Sequence, residues 1–295
     1  MQCVIDGKPY TYLNQIRDDA PVRRSFNALA WETFRLSMET WYQAGYWREC
    51  YIPHALLEGD RVVANVSVNI MDMRLLGQPR RYIQLGTVMT DPGYRRRGLS
   101  RYLMEAILTE WTERCDGLYL YANDSVLDFY PKFGYRRAEE QEFSLPVPGG
   151  PGAGRRLCLD DPADRALFQR RIRQGNRFSA LSQRDCESLV MFYCGQELKD
   201  CVYDLPAWDA AAVLEEEGEV LLCHDVFGGG SLPLAELLSQ LARPETRRVS
   251  LGFTPVETEG LDCAPLREED TTFFWHQSHP LPFHGPMRFP TLSHT

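Results

Sequence analysis

Apolar residues recur at helical spacing in two segments of the first half of the chain. In residues 22–46 they lie three or four positions apart, which predicts a long helix with one buried face. After Gly98 the same spacing returns over more than three turns and predicts a second amphipathic helix. The apolar face of this second helix consists of Leu99, Tyr102, Leu103, Ala106, Ile107 and Trp111.

Three apolar segments between these helices predict strands. They cover residues 50–58, 61–73 and 81–90, with Gly59-Asp60 and Leu76-Gly77-Gln78-Pro79 between them. Close spacing with turn residues is typical of an antiparallel meander. The remaining elements predicted in this half are a strand at 117–122, a short helix near 125–132 and a strand from about Tyr135 to Leu145.

The segment from Pro146 to Gly154 holds three prolines and four glycines, so it can continue neither a helix nor a central strand. We interpret residues 146–156 as a linker between a first domain at 1–145 and a second at 157–295. The predicted fold class is α/β, in the form of an α+β arrangement with mixed sheets.

The second half shows a weaker version of the same element order. Helical patterns at 159–173 and 183–194 precede an apolar strand at 220–227. A glycine-rich turn then leads into a helix at 234–241, and a strand follows at 248–253. This order of strand, loop, helix and strand predicts a second domain related to the first.

Composition excludes several classes of protein. The net charge is -9, with 18 basic and 19 acidic residues in 1–150 against 14 and 22 in 151–295, which is unlike a basic nucleic-acid-binding protein. The acidic second half could attract a small cation, although ordinary solubility charge explains it as well. We see no membrane-spanning apolar segment, no membrane partner and no signal peptide, and we expect a cytoplasmic protein. The nine cysteines form no C-x-x-C pair, so free thiols and no metal site are expected.

The segment from Thr90 to Ser100 carries the first chemical signal. It passes from a predicted strand into a helix start, where unpaired backbone N–H groups and the helix dipole favour an anion. Arg95, Arg96 and Arg97 add positive charge and fork-shaped donors immediately before Gly98. An ordinary basic loop with a glycine near a helix start is the alternative interpretation.

This segment resembles motif A of the GNAT acetyltransferases, [QR]-x-x-G-x-[GA], with Arg95, Gly98 and Ser100 at its defining places; Ser100 departs from the usual glycine or alanine. The resemblance implies that acetyl-CoA is the co-substrate and that the strand before the motif pairs with its pantetheine arm. The residues that the resemblance places at the cofactor are Val88, Met89, Thr90, Arg95, Arg96, Arg97, Gly98, Leu99 and Ser100.

A second segment, from Asn123 to Tyr135, resembles the GNAT motif B, N-x(6)-Y-x-K-x-G-[FY]. The resemblance places Asn123 and Tyr130 at the cofactor. It also implies that Tyr130 is the general acid, because the departing thiolate must be protonated. By residue type alone, Tyr130 could equally be a core aromatic beside Phe129 and Phe133.

The general base is less evident. Some GNAT enzymes carry a glutamate where this chain has Gln84, which cannot accept a proton. An ordered water, Glu49 or Asp91 could replace it, or the amine could arrive neutral. The chain also resembles the Eis-like acetyltransferases, which join two GNAT-like domains to a third domain for which this chain is too short. That resemblance implies that the carboxylate of Thr295 acts as the base.

These features predict direct acyl transfer from acetyl-CoA or another acyl-CoA to an amine, without a covalent enzyme intermediate. We expect the second domain to be degenerate, to bind no CoA, and to wall the acceptor pocket or hold a subunit interface, which leaves a homo-oligomer open. An acyl-CoA sensor without turnover and a GNAT-fold interaction scaffold are the two alternatives.

Overall fold

The computed structural model describes residues 1–295, which form six α-helices and two β-sheets. None of the helices is long and apolar enough to cross a membrane. The helices are α1 (Ala20–Phe34), α2 (Glu39–Gln43), α3 (Leu99–Trp111), α4 (Pro162–Ile172), α5 (Glu187–Cys194) and α6 (Leu234–Leu241).

The first sheet has nine strands, with the order β1-β2-β3-β4-β5-β6-β16-β7, and β10 pairs with the far end of β4. All of its neighbours are antiparallel except β5 and β6, which α3 connects as a parallel pair. Its strands are β1 (Gln2–Ile5), β2 (Lys8–Leu13), β3 (Tyr51–Glu58), β4 (Arg61–Leu75), β5 (Gln78–Thr90), β6 (Gly117–Ala122), β7 (Tyr135–Arg137), β10 (Leu181–Gln183) and β16 (Thr272–His276).

The second sheet has seven strands in the order β15-β8-β14-β13-β12-β11-β9. Its parallel pair, β13 and β14, is connected through α6, as β5 and β6 are through α3. The predicted strand, glycine turn, helix and strand of the second half are therefore confirmed. The strands of this sheet are β8 (Gln141–Pro146), β9 (Arg155–Arg156), β11 (Val202–Leu205), β12 (Ala210–Glu217), β13 (Val220–Gly228), β14 (Arg248–Leu251) and β15 (Asp262–Pro265).

The two halves of the chain exchange strands: β10 and β16 of the second half join the first sheet, and β8 of the first half joins the second. β8, from the first half of the chain, lies between β14 and β15 in the second sheet. In return β16, from the end of the chain, lies between β6 and β7 in the first sheet. The apolar pattern from Tyr135 to Leu145 predicted one strand, which is wrong, because the chain leaves the first sheet at residues 138–140 and enters the second.

This exchange also bears on the predicted domains 1–145 and 157–295. Sheet membership does not follow that boundary, since β8 belongs to the sheet of the second half, and β10 and β16 belong to the sheet of the first. The division at residues 146–156 stays a proposal about folding units. Residues 147–154 form neither helix nor strand, while Pro146 ends β8 and Arg155–Arg156 form β9 at the edge of the second sheet.

The helix predicted over residues 22–46 is interrupted. α1 ends at Phe34, and Arg35 takes a left-handed conformation with φ 59° while its N–H donates to the carbonyl oxygen of Trp31 at 3.0 Å. The chain re-enters a helix only at α2. Apolar spacing continues across the break because Met38 and Trp41 still face the same core, so periodicity alone could not reveal it.

The short helix predicted near 125–132 is also different in detail. Two 3₁₀ turns, Asp124–Val126 and Tyr130–Phe133, replace it. Gly134 ends the second turn with φ 85°, a conformation that glycine adopts without steric cost. The strands predicted for β3 to β6 and the helix predicted for α3 are confirmed.

The first sheet has a core on each face. α3 covers one face and buries Leu99, Leu103 and Ile107 against β4, β5 and β6. α1 and α2 cover part of the other face, while the rest is covered by the C-terminal segment, in which Phe289 is fully buried. Burying one large apolar side chain contributes about 1.5–3 kcal/mol to the stability of the fold. The sheet therefore needs a layer on both faces.

We expect the fragment 1–150 not to fold, although it contains every element of the predicted first domain. Without β16 the fragment leaves one edge of β6 open and β7 unpaired, and β8 has no sheet to join. Circular dichroism and urea unfolding of the fragment should show no cooperative transition, whereas the full chain should show one. A cooperatively unfolding fragment would contradict the importance of the exchanged strand.

Candidate active site

The first sheet opens between its two parallel strands. β5 and β6 pair from Tyr82 with Gly117 to Leu85 with Leu120, and then separate. β5 continues to Thr90 and stays paired with β4, where Thr90 faces Ala64. Backbone groups point alternately to the two sides of a strand, so the open side of β5 offers donors and acceptors near Val88 and Thr90. Of these, the Thr90 carbonyl oxygen accepts from Arg95 at 3.4 Å.

A tight loop connects this open edge to α3. Asp91 accepts a hydrogen bond from the N–H of Gly93 at 2.8 Å and forms an ion pair with Arg61. Gly98 takes φ 77° at the N-cap of α3, a conformation that glycine reaches easily. The backbone N–H groups of Gly98, Leu99 and Ser100 donate to no protein acceptor. The helix start is therefore equipped to bind an anion.

The three arginines of this loop keep their positive charge uncompensated. Arg95 and Arg96 are exposed, and none of the three forms an ion pair. Arg97 donates to the carbonyl oxygen of Gly93 at 2.6 Å and lies 4.6 Å from the ring centre of Tyr94. These guanidinium groups can neutralise a phosphate group without first breaking a salt bridge.

Ser100, which departs from the motif, bonds to the strand before the loop. Its hydroxyl and that of Thr90 lie 2.7 Å apart. This hydrogen bond connects the end of β5 to the first turn of α3. Leu99, by contrast, turns its side chain into the core and can offer a ligand only its backbone.

Asn123 lies at the end of β6, where its side chain is bonded to the second half of the chain. Its amide nitrogen donates to a carboxylate oxygen of Asp270 at 2.9 Å. The other oxygen of that carboxylate accepts from the backbone N–H of Asp124 at 2.6 Å. The oxygen of the Asn123 amide therefore stays available to a ligand.

Tyr130 lies in the core beneath the opening. Its ring packs against Phe129, Tyr135 and Phe274, the last of which comes from the exchanged strand β16. Burial raises the pKa of Tyr130 to about 12, so the phenol stays protonated at neutral pH. Its hydroxyl group forms no hydrogen bond within the protein, which leaves the proton available to a bound group.

Thr295 lies against β4 and β5. The amide nitrogen of Asn69 donates to the Thr295 hydroxyl at 2.9 Å. A Cβ atom on Gly86 would lie 2.7 Å from the Thr295 carbonyl oxygen, so only glycine allows the tail this position. With its amide oriented to satisfy these contacts, Gln84 accepts from the Thr295 N–H at 2.9 Å. Gln84 thus holds the tail, and it stands at the position where some GNAT enzymes carry a glutamate.

The residues before Thr295 are buried and bonded. The carbonyl oxygen of His294 accepts a hydrogen bond from the Tyr193 hydroxyl at 2.7 Å. The imidazole ring of His294 stacks on the Tyr121 ring at a centroid distance of 3.9 Å. Burial lowers the pKa of His294 to about 3, which keeps the ring neutral. The backbone N–H of Phe289 donates to Glu140 at 2.7 Å. The first sheet, α5 and the segment between β7 and β8 that carries Glu140 therefore position the tail.

Glu49 and Asp91, the two other candidate bases, are engaged elsewhere. Glu49 is exposed and accepts from Arg17 at 2.9 Å, and this hydrogen bond lowers the pKa of its carboxyl group. Asp91 is bonded within the loop and to Arg61. Of the three candidates, only Thr295 contacts β5 at Gly86, where this strand separates from β6.

Two cavities lie on the side of the first sheet opposite α3. A small one of about 70 Å³ is lined by Trp41, Tyr51 and Asn69, so it adjoins the residue that holds Thr295. A larger one of about 630 Å³ lies between α2 and α5, and Trp41 lines both. Neither cavity is lined by a residue predicted to bind the cofactor.

The glycine loop of the second half differs from its counterpart. A Cβ on Gly229 would lie 2.7 Å from the ring of Phe178, so a side chain covers this loop. The following helix, α6, has Pro233 at its N-cap, and proline has no N–H to offer an anion. No group of three or more His, Cys, Asp or Glu residues is placed to hold a metal ion.

Several residues of this region were missed from the sequence. Asn69, Gly86, Glu140 and Asp270 carry no local motif, and they meet their partners across as many as 226 positions. Such contacts arise from the strand exchange and leave no spacing signal.

Comparison with known proteins identifies the first part of the chain. Residues 25–138 match the family described as the acetyltransferase (GNAT) domain. No curated protein sequence matches the chain.

Solved structures resemble the chain over nearly its whole length. A protein from Enterococcus faecalis V583 described as a probable N-acyltransferase is 13% identical, with a TM-score of 0.55, over 90% of this chain and 72% of its own. Eis1 from Mycobacterium abscessus is 15% identical, with a TM-score of 0.53, over 90% and 72%. A GCN5-related N-acetyltransferase from Kribbella flavida is 13% identical, with a TM-score of 0.53, over 90% and 71%. At these identities the likeness establishes the fold.

We expect Glu140→Gln to remove a pH dependence of stability. Burial raises the pKa of Glu140 from 4.5 to about 7, so the folded protein binds a proton that the unfolded chain has lost. The free energy of unfolding should therefore fall as the pH rises from about 4.5 to 7, by up to about 3 kcal/mol.

Glutamine keeps an acceptor for the Phe289 N–H but carries no charge. Urea unfolding of the wild type and of Glu140→Gln at pH 5 and pH 8 measures the change in unfolding free energy with pH. The difference between the changes in the two proteins isolates the contribution of Glu140 from that of other buried acids. Parallel pH profiles would show that Glu140 is not responsible.

Proposed function

Since residues 25–138 match the family described as the acetyltransferase (GNAT) domain, we propose that this protein transfers the acyl group of an acyl-CoA, with acetyl-CoA as the donor, directly to the amine of an acceptor. The observation that carries the proposal is the open edge of β5 next to a helix start with free N–H groups and unpaired arginines. One side of this arrangement fits an amide-bearing arm, and the other fits a pyrophosphate.

The open edge of β5 and the loop before α3 would each bind a different part of the cofactor. Val88 and Thr90, on either side of Met89, would pair with the pantetheine amides, as an added strand does. The N–H groups of Gly98, Leu99 and Ser100 would bind the pyrophosphate, with Arg95, Arg96 and Arg97 supplying counter-charge. The oxygen of the Asn123 amide remains free to accept from the arm.

The transfer step needs a base for the amine and an acid for the thiolate. The amine nitrogen attacks the thioester carbon, its proton passes to the base, and the carbon–sulfur bond breaks. Tyr130 would then give its proton to the CoA sulfur, since burial keeps this phenol protonated and its hydroxyl is unbonded. A carboxylate at the end of Thr295 would serve as the base, because Asn69 and Gly86 hold this residue beside β5.

The acceptor would approach from the side of the sheet that carries Thr295. The cavity lined by Trp41, Tyr51 and Asn69 lies on that side, and its aromatic and amide walls suit a small amine. The excess of acidic residues in the second half favours a cationic one.

A second candidate function is an acyl-CoA sensor without turnover. Gln84 favours it, because this residue cannot accept a proton at the position where a glutamate would be the base. The sensor would share the cofactor site and differ in lacking transfer to any amine.

We expect Gly98→Asp to abolish acetyl-CoA binding. The aspartate places a carboxylate beside the anion site and forces a side chain onto φ 77°, so the dissociation constant should rise more than about a hundredfold. Gly98→Ala is the control, because it carries the backbone strain without the charge and should lose much less affinity. Calorimetry of the three proteins measures this; equal affinities for wild type and Gly98→Asp would place the cofactor elsewhere.

We expect a protein extended by two glycines after Thr295 to bind acetyl-CoA normally and to lose turnover. The extension keeps the contacts of Thr295 with Asn69 but moves the terminal carboxylate, so kcat should fall about a hundredfold with any amine that the wild type acylates. Deletion of residues 293–295 should do the same.

Tyr130→Phe is the matched test of the acid and should also lower kcat at unchanged affinity. Turnover is measured as thiol release across a panel of amines. Full activity of the extended protein would remove the tail carboxylate from the mechanism. Wild-type binding without turnover on any amine would favour the sensor.

A further inference from the structure

The strand that would hold the cofactor contains a bulge. In β4 and β5, Ser67 faces Gly86 and Asn65 faces Met89, so two residues of β5, Thr87 and Val88, lie opposite Val66 alone. The bulge begins two residues after β5 separates from β6. It therefore lies at the point where the opening starts.

Thr87 takes an unfavourable backbone conformation there. Its φ is 48°, in the left-handed region that glycine adopts without cost and that a β-branched residue rarely enters. A conformation of this kind persists only where surrounding contacts impose it. The contacts of Thr87 should therefore explain how the bulge is held.

Four side chains form a closed ring of hydrogen bonds around this bulge. The Tyr51 hydroxyl lies 2.9 Å from the Thr87 hydroxyl and 3.0 Å from that of Ser67. The amide nitrogen of Asn65 donates to the Ser67 hydroxyl and to the Thr87 carbonyl oxygen, both at 2.9 Å. We call this ring the bulge clamp; its members are Tyr51, Asn65, Ser67 and Thr87.

The bulge clamp is shielded from water. Asn65 and Ser67 are fully buried, and Tyr51 is 5% exposed. Burial raises the pKa of Tyr51 to about 12, so its hydroxyl stays neutral and keeps its proton for the ring. Hydrogen bonds in such surroundings are costly to leave unmade, which makes the ring a strong constraint on the backbone.

We infer that the bulge clamp is a positioning device for the proposed acyl-CoA site: it holds Thr87 in its left-handed conformation and so keeps the edge from Val88 to Thr90 open before the ligand arrives. Tyr51, Asn65 and Ser67 are positioning residues in this inference. They act on the ligand through the backbone of β5. The inference rests on the proposed function, since it assumes that the open edge binds the pantetheine arm.

The clearest test is Tyr51→Phe, alone and combined with Thr87→Gly. Removing the Tyr51 hydroxyl should raise the dissociation constant for acetyl-CoA about tenfold, because the bulge can then relax. Glycine holds φ 48° without help, so Tyr51→Phe should cost less than about twofold in the Thr87→Gly background. Tyr10→Phe is the control, as this buried hydroxyl on β2 has no hydrogen-bond partner.

Calorimetry with acetyl-CoA gives the dissociation constants of the five proteins (wild type, the two single variants, the double variant and the Tyr10→Phe control), and urea unfolding gives their stabilities. An equal loss of affinity from Tyr51→Phe in both backgrounds would overturn the inference, as would an effect no larger than that of Tyr10→Phe. A merely structural role of Tyr51 would lower stability without this dependence on residue 87.

Failure of the wild type to bind acetyl-CoA would instead contradict the proposed function. In that case the midpoints of urea unfolding still test whether the bulge clamp holds the left-handed conformation of Thr87. Tyr51→Phe should lower the midpoint more in the wild-type background than in the Thr87→Gly background. The same shift in both would show that the ring does not hold the left-handed conformation.

Discussion

The pairing of β16 with β6 and β7 is the interaction on which the rest of the structure depends. It closes the first sheet with a strand from the end of the chain, and it brings Phe274 against Tyr130. It also directs the following residues back across the sheet, so that Thr295 reaches Gly86. The second half thus packs against the proposed acid and supplies the proposed base, which Asn69 and Gly86 of the first half hold in place. The proposed catalytic role of the first half is therefore inseparable from the presence of the second.

Local pattern predicted much of the first half of the chain. The amphipathic spacing after Gly98 gave α3, and turn residues between apolar segments gave β3 to β5. The anion site in the loop could also be predicted, because the glycine, the three arginines and the helix start are neighbours in the sequence. Such features depend on residues within one turn or one strand, which is the range over which sequence patterns carry information.

The remaining features depend on contacts between distant parts of the chain. The apolar run from Tyr135 to Leu145 is continuous, yet its two ends lie in different sheets, since both sheets bury the same kind of side chain. Asp270 meets Asn123 across 147 positions, and nothing near either residue predicts the other. The bulge at Thr87 was likewise invisible, because its left-handed φ is imposed by Tyr51 and Asn65, which lie on other strands. Tertiary contacts override local preference at each of these positions.

The exchanged strands also constrain how the protein is made. During synthesis β6 and β7 leave the ribosome long before β16 does, so the nascent first sheet carries open edges on both strands until β16 is available. Exposed strand edges are the sites at which unfinished chains associate with one another. The first sheet can therefore be completed only after β16 has been made. A ribosome that stalls between β15 and β16 would release a chain that has every loop of the site and no closed sheet to hold it.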